Sequence, residues 1–387
     1  MSPARFLREH WQKKPLLVRG AFPGFVDPID PDELAGLSCE EGVESRIVRE
    51  RGGRHPWEVT FGPHPEARFA SLPRRGWTLL VQEVNRHVRE AALLLEPFAF
   101  VPNVRIDDVM VSFAAPGGSV GPHLDSYDVF LLQGRGKRRW RYGTKRAKDR
   151  RFVPGLDLRI LERPVLDADE VLGPGDMLYL PPGFAHHGVA ETACLTWSIG
   201  FRAPSAGEAW KDFASWSMGR DARALSLVAD PPLAPATEPG AIPPALLAKV
   251  RAAVRSLDTS DDAIDRWFAA FATRLAPGHT LEAPRRPPSE ASIMQRLGKV
   301  PVVRSEEGRF AFLELASGFV FYFAGEEIPV SGKSADVARV VSRSRDVDGQ
   351  SLAVLAKDRA ARALLVRLFE MGAIRFTPSG VAKRVSV

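Results

Sequence analysis

One short stretch of the chain carries residue types that could bind a metal ion. His123 and Asp125 stand two positions apart, just before an apolar run that begins at Val129. Side chains two apart on an extended backbone point to the same side, so an imidazole and a carboxylate would lie next to each other. Such a pair can chelate one divalent cation. The triplet is common by chance, so it needs support from elsewhere in the chain.

A third ligand is offered further along. Residues 175–186 read GDMLYLPPGFAH, which predicts a turn, a short strand and a tight bend that presents His186. Two histidines and one carboxylate form the facial ligand set of non-haem Fe(II) oxygenases, which leaves positions open on the metal. Neighbouring residues on extended backbone face opposite ways, so only His186 or His187 can reach the ion. The Pro-x-Gly-x-x-His spacing favours His186. The alternative is that all three groups are structural.

An inward cation is predicted after the Gly-Arg-Gly turn that ends at residue 136. Residues 137–142 read KRRWRY, and in a strand Arg138 shares a face with Trp140 and Tyr142 while the other cations face solvent. A buried guanidinium needs an anion, and it pairs bidentately with a carboxylate such as that of 2-oxoglutarate. Ser112 could add a hydroxyl hydrogen bond there. The alternative is that Arg138 is structural and bridges two strands by pairing with an acidic side chain.

The elements that would position these groups are short strands. Between residues 1 and 206, Gly and Pro separate short apolar runs, which predicts an all-β sandwich or barrel with some helix at its start. The runs are 16–18, 78–81, 109–113, 129–132, 177–180 and 194–199.

The rest of the chain predicts two further domains. Apolar residues recur at helical spacing through 207–281, where an aromatic stripe suits either an oligomerisation surface or packing on its own chain. After the proline-rich segment 282–288, helices and a hairpin predict a winged-helix-like domain over 282–387. Such modules often bind proteins. No Arg-rich helix face stands out, so direct binding to nucleic acid is not expected.

Composition excludes several classes of protein. The chain has 387 residues, 53 Lys and Arg, 47 Asp and Glu, and a formal net charge of +6, which permits contact with a ribonucleoprotein without requiring it. Two cysteines cannot build a disulfide framework or a multi-cysteine zinc site, which favours a reducing compartment. No run of about 18 apolar residues occurs. We therefore expect a cytoplasmic protein without a membrane segment.

Several motifs resemble those of the bacterial ribosomal oxygenases, which are JmjC/cupin-type 2-oxoglutarate enzymes. The similarity lies in FxxxxWQKKPLLVRG from Phe6, RIDD at 105–108, the run from Pro116 to Phe130, PPGFxH ending at His186, and SxGFRAP at 198–204. It is specific over residues 100–204 and loose after 230. Within the family, the chain is most similar to arginine hydroxylases of ribosomal protein sixteen of the large subunit.

The resemblance implies an α+β protein with three parts. These are a JmjC/cupin double-stranded β-helix (jelly-roll) barrel over 1–206, a helical dimerisation domain over 207–281 and a winged-helix-like domain over 282–387. It implies Fe(II) on His123, Asp125 and His186, 2-oxoglutarate on Arg138, and O2 as co-substrate. The implied reaction is hydroxylation of an arginine, at its β-carbon, in a large-subunit ribosomal protein by a homodimer.

An arginine substrate requires an anionic or aromatic pocket near the metal. Tyr127 and Asp128 are candidates, although both could be ordinary packing or turn residues, and the non-coordinating oxygen of Asp125 is another. One alternative keeps the oxygenase chemistry and changes the target to another protein or to RNA. Another is a cupin scaffold with a structural metal. Arg138 argues against the scaffold, because a structural site does not need a buried receptor for an anion.

Overall fold

The computed structural model describes residues 1–50, 57–220, 226–232, 235, 238–276 and 278–377. Within these ranges the chain forms two compact units, which meet in the sequence between Ala203 and Pro204. The barrel domain predicted over 1–206 remains a prediction, and the first unit covers residues 1–203 of it. Parts of the other predicted domains, including residues 221–225 and 378–387, lie outside the described residues.

The first unit is built mainly from short strands. Its strands are β1 Leu16–Val18, β2 Ser45–Glu50, β3 Trp57–Phe61, β4 Trp77–Val81, β5 Ile106–Ala114, β6 Asp128–Gln133, β7 Arg138–Tyr142, β8 Ala168–Leu172, β9 Met177–Leu180, β10 His186–Ala190 and β11 Cys194–Phe201. Its helices are α1 Pro3–Glu9, α2 Pro31–Leu37, α3 Ala67–Ala70, α4 Val84–His87 and α5 Arg89–Leu93. Each of the six apolar runs that predict a strand lies within an observed strand.

Two antiparallel sheets make up the first unit. The larger follows the order β1-β9-β6-β11-β5-β4-β2-β3, and the smaller follows β10-β7-β8. The side chain of Arg138, on the smaller sheet, reaches Ser112 on the larger sheet, so the two sheets face each other. This is a jelly-roll arrangement, in which side chains from both inner faces meet in the barrel interior.

The core explains why the central strands are so apolar. Strand β11 lies between β5 and β6 and is buried along its whole length, because both of its faces are covered. At one end of the barrel, Phe6 from α1 packs against Phe130 and Tyr179, with ring centroids 5.4 and 4.8 Å away. The start of the chain is thus part of the barrel core.

The second unit combines helices with small sheets. Its helices are α6 Ala206–Arg220, α7 Pro244–Val254, α8 Asp261–Thr273, α9 Glu290–Arg296, α10 Lys333–Arg343, α11 Gly349–Leu355 and α12 Arg359–Glu370. Its strands are β12 Val302–Arg304, β13 Phe310–Leu315, β14 Gly318–Phe323, β15 Glu326–Val330, β16 Asp346–Val347 and β17 Ile374–Phe376. They form the sheets β16-β12-β17 and β13-β14-β15.

Helix α8 packs against the sheet that follows it in the sequence. Its N-terminus is capped by the Ser260 hydroxyl, which accepts from the Ala263 amide. Small residues on one face of the helix, including Ala270, allow it to pack closely on Val320 and Tyr322 of β14. The helix also contacts α6, which the sequence places in the same helical domain over 207–281, because the rings of Trp267 and Phe213 have centroids 5.5 Å apart. Within the described ranges, no helix is both long and apolar enough to cross a bilayer.

Candidate active site

Two histidines and a carboxylate meet where the β5–β6 connection runs beside β10. His123 and His186 are joined by a pair of backbone hydrogen bonds of 3.0 and 2.9 Å, and their ring centroids lie 4.2 Å apart. The Asp125 Oδ2 is 3.5 Å from the His186 Nε2. One ligand atom from each of the three residues lies within 4.8 Å of the others. A single divalent ion can therefore contact all three.

Hydrogen bonds present both imidazoles in the form that binds metal. The Nδ1 of His123 is 2.9 Å from the Gly121 carbonyl, and the Nδ1 of His186 is 3.0 Å from the Phe184 carbonyl. A carbonyl only accepts, so each Nδ1 carries the proton and each Nε2 offers its lone pair to the ion. Burial, followed by the nearby His123 ring, lowers the pKa of His186 to about 4. The neutral ring is the form that coordinates a metal.

The turn before β10 is tied to the carboxylate ligand. Gly183 has a φ of +79°, a conformation that suits glycine, and its N–H donates to the Asp125 carbonyl at 2.8 Å. This bond joins the two motifs recognised in the sequence. His187 lies on the other side of β10 from His186, and its Nε2 is 3.0 Å from the Ser119 hydroxyl.

Deeper in the barrel, Arg138 lies among neutral polar groups. Its guanidinium donates to the Ser112 hydroxyl at 3.2 Å, the Thr196 hydroxyl at 3.5 Å and the Gly188 carbonyl at 3.3 Å. The group stacks over the Trp140 ring at 4.9 Å. The Arg138 Nε, which is also buried, has no hydrogen-bond partner in the described part of the chain. Arg138 thus keeps unused donor capacity inside the barrel.

The charge of Arg138 is not balanced within the barrel. Only 2% of the residue is exposed, and none of the described carboxylates pairs with it. Burial lowers the pKa of Arg138, but a guanidinium stays protonated in proteins. A buried cation without a counter-ion is costly. The surroundings of Arg138 are therefore suited to an anion, and the residues fit a metal with an anionic ligand beside it.

Three residues of this pocket escaped the sequence analysis. Thr196 pairs in register with Ser112 on one side and Gln133 on the other, so three neighbouring strands present a polar row. Thr196 donates to the Gln133 side chain at 3.3 Å. Gly188 provides the space into which Arg138 extends. The sequence offers a weak signal for Thr196, which is one of two polar residues, with Ser198, in the apolar run 194–199.

The two residues expected to contact a substrate occupy different environments. Tyr127 is partly exposed, and burial together with the Asp125 and Asp108 charges raises the pKa of its hydroxyl, which therefore stays protonated. Asp128 is fully buried, and its oxygens accept from the Tyr179 hydroxyl at 2.6 Å and the Gln12 amide at 3.0 Å. This network ties the N-terminal segment to the barrel, so the structure gives Asp128 a position unlike that of a substrate-binding residue.

Comparisons with known proteins agree with this architecture. A family model described as a JmjC domain matches residues 93–209, and one described as a ROXA-like winged helix matches residues 253–375. Ribosomal protein uL16 3-hydroxylase of Escherichia coli (strain K12) is 38% identical over 317 residues, which cover 79% of this chain and 83% of that protein. A probable ribosomal oxygenase of Haemophilus influenzae is 43% identical over 206 residues, covering 53% of this chain and 50% of that protein.

A solved structure extends the similarity over nearly the whole chain. It is that of YcfD, a ribosomal oxygenase from Escherichia coli, in complex with cobalt and 2-oxoglutarate. The TM-score is 0.81 at 33% sequence identity, and the alignment covers 98% of this chain and 99% of that one. The predicted jelly-roll barrel and winged-helix fold are thereby confirmed.

Proposed function

The chain belongs to the JmjC-type ribosomal oxygenases, and we propose that it uses Fe(II), 2-oxoglutarate and O2 to hydroxylate an arginine of ribosomal protein uL16. The observation that carries the proposal is the combination of three metal ligands within 4.8 Å of one another and a buried guanidinium that lacks a carboxylate partner among the described residues. A structural metal site would have no use for the second feature.

Each group of the site has a distinct task in this proposal. His123, Asp125 and His186 hold the metal through one atom each, which leaves coordination positions for a 2-oxo acid and O2. Bound Fe(II) would supply the redox chemistry that couples oxidation of the 2-oxo acid to hydroxylation. Arg138 pairs with the distal carboxylate of 2-oxoglutarate, and Ser112 donates a further hydrogen bond. The apolar barrel walls exclude water from the reaction.

The arginine substrate would enter beside the metal. Its guanidinium needs an acceptor, which the second oxygen of Asp125 supplies, and an aromatic surface, which Tyr127 supplies. The Escherichia coli relative is named as a 3-hydroxylase of uL16, and position 3 of an amino acid is its β-carbon. We place the new hydroxyl at that atom. A cytoplasmic location follows from such a substrate.

A direct experiment tests the reaction. The protein is reconstituted anaerobically with Fe(II) and 2-oxoglutarate, mixed with uL16 in air, and the substrate is analysed by intact-mass and fragment mass spectrometry. The expected result is the gain of one oxygen atom, located on an arginine β-carbon, with release of succinate. An Asp125→Ala variant serves as the inactive control. Succinate release without any oxygen on uL16 would overturn the substrate assignment and leave the oxygenase chemistry standing.

A homodimer through residues 207–281 also belongs to the proposal. In that region Trp210 is 64% exposed on α6, Val254 is 69% exposed on α7, and Phe268 is 38% exposed on α8. None of the described residues of α7 is buried, although the helix is rich in Ala, Leu and Val. Apolar surface of this kind is typical of a protein interface.

A further inference from the structure

The loop that carries the ligand His123 runs alongside β10 without forming a regular strand. Backbone hydrogen bonds hold it at two places. The Gly117 N–H donates to the Ala190 carbonyl at 2.7 Å near the start of the loop, and His123 and His186 exchange backbone bonds at its end. Between these points the loop is held by a side chain of β10, His187.

The hydrogen-bond direction at His187 follows from its partners. The Arg141 guanidinium is 3.2 Å from the Nδ1 of His187 and can only donate, so this Nδ1 accepts. The ring proton is then on Nε2, which donates to the Ser119 hydroxyl at 3.0 Å. His187 is therefore fixed in one tautomer, with its Nε2–H directed at the loop.

Ser119 also forms a hydrogen bond to the backbone beside the metal ligand His123. It is 1% exposed, and its hydroxyl also accepts from the Gly121 N–H at 3.0 Å. The Gly121 carbonyl in turn accepts from the Nδ1 of His123 at 2.9 Å. Hydrogen bonds thus link His187 to Ser119 and Ser119 to the Gly121 N–H, and the Gly121 carbonyl holds the ring that would bind the metal.

We propose that His187 and Ser119 are positioning residues that set the orientation of the His123 ring for metal binding. This inference rests on the proposed metal site. Groups that hydrogen-bond directly to metal ligands commonly change metal affinity by about 10- to 100-fold when removed. Because His187 acts through Ser119 and Gly121, its effect belongs at the lower end of that range. The simple alternative is that His187 only packs against the loop.

The test uses Co(II) binding to the full chain, followed by its visible absorption spectrum and by titration. His187→Leu keeps the bulk and removes the donor, Ser119→Ala removes the acceptor, and His187→Gln keeps an amide N–H close to the place of Nε2. We expect His187→Leu and Ser119→Ala each to weaken Co(II) binding about tenfold and to alter the spectrum. The His187→Gln variant should bind Co(II) with nearly the wild-type affinity and spectrum. Ser71→Ala, which removes an exposed hydroxyl that donates to the Arg68 carbonyl, controls for the loss of a serine hydroxyl away from the site.

The double variant separates positioning from general loss of structure. If the two residues act through one contact, Ser119→Ala with His187→Leu binds Co(II) no more weakly than either single variant. Wild-type affinity and spectrum in both single variants, or fully additive losses in the double variant, would overturn the inference. Failure of the wild-type protein to bind Co(II) would instead reject the metal site itself. Melting temperatures of the metal-free proteins identify any variant that does not fold.

Discussion

Gly188 on β10 makes room for the guanidinium of Arg138 on β7. A Cβ atom at position 188 would stand 2.7 Å from the Arg138 Nε and equally close to the Trp140 ring. These are shorter than ordinary carbon contacts, so any side chain at 188 must displace one of the two neighbours. The hydrogen bond from Arg138 to the Gly188 carbonyl would be disturbed by the same shift.

A Gly188→Ala substitution should therefore impair 2-oxoglutarate binding more than metal binding. We expect the apparent KM for 2-oxoglutarate to rise about tenfold or more, which corresponds to the loss of a charge-assisted hydrogen bond. Co(II) affinity should change little. The rate of succinate release as a function of 2-oxoglutarate concentration gives the apparent KM, and Co(II) titration gives the metal affinity. Gly173→Ala is the control, because a Cβ there meets nothing within 4 Å. Equal effects of the two substitutions would count against the assigned role of position 188.

Replacing Arg138 with Met should separate function from stability. The variant loses the anion partner, so 2-oxoglutarate binding should weaken by about 10- to 100-fold. Without ligand, however, the variant should be at least as stable as the wild type, since a buried and unpaired charge has been removed. Urea unfolding of the metal-free proteins checks the second point. A variant markedly less stable than the wild type would mean that the charge is compensated within the barrel.

Removal of one metal ligand should abolish stabilisation by metal. Co(II) at saturating concentration should raise the melting temperature of the wild type, because an ion that binds only the folded state stabilises it. The His186→Ala variant should show no such rise, while its metal-free melting temperature remains measurable as a folding control. Thermal unfolding with and without Co(II) provides the comparison. A normal Co(II)-dependent rise in His186→Ala would exclude this residue as a ligand.

The network around Asp128 should matter for folding. Tyr179→Phe removes a hydroxyl that donates to a fully buried carboxylate at 2.6 Å, so the free energy of unfolding should fall by about 1.5–3 kcal/mol. Tyr142→Phe is the matched control, since the Tyr142 hydroxyl forms no hydrogen bond within the described structure. Urea denaturation of both variants measures the difference. Equal stabilities would show that the Tyr179 hydroxyl contributes nothing to the fold.

The proposed dimer can be tested on α6. A charge at position 210 should disfavour burial of this exposed aromatic surface, so Trp210→Glu should shift the protein towards the monomer. Size-exclusion chromatography with light scattering gives the mass directly. Val354→Glu adds the same charge at another exposed apolar residue, 65% exposed on α11, and should leave the mass unchanged. A wild-type protein that is monomeric at high concentration would contradict the proposal.

Much of the barrel could be predicted from the sequence because its signals are local. Alternation along 137–142 identified Arg138 as inward-facing, and the burial pattern of β7 agrees. The spacing of His123 and Asp125, and the turn before His186, selected three residues that the structure brings together. Strand periodicity and turn chemistry act over a few residues, so they are readable without knowing what lies opposite.

The contacts among site residues could not be predicted, because they join parts of the chain that are distant in sequence. Thr196 joins Ser112 only because β11 pairs with β5 in one register, and Gly188 matters only because β10 lies beside β7. The sequence predicts that Asp128 contacts the substrate. In the structure the N-terminal segment packs against Asp128, and the Gln12 side chain donates to its carboxylate. In each case the neighbour comes from another strand or segment. The sequence by itself determined which side chains point into the barrel, and only the tertiary structure decided which of them meet, because register and packing are set by the fit of the whole core.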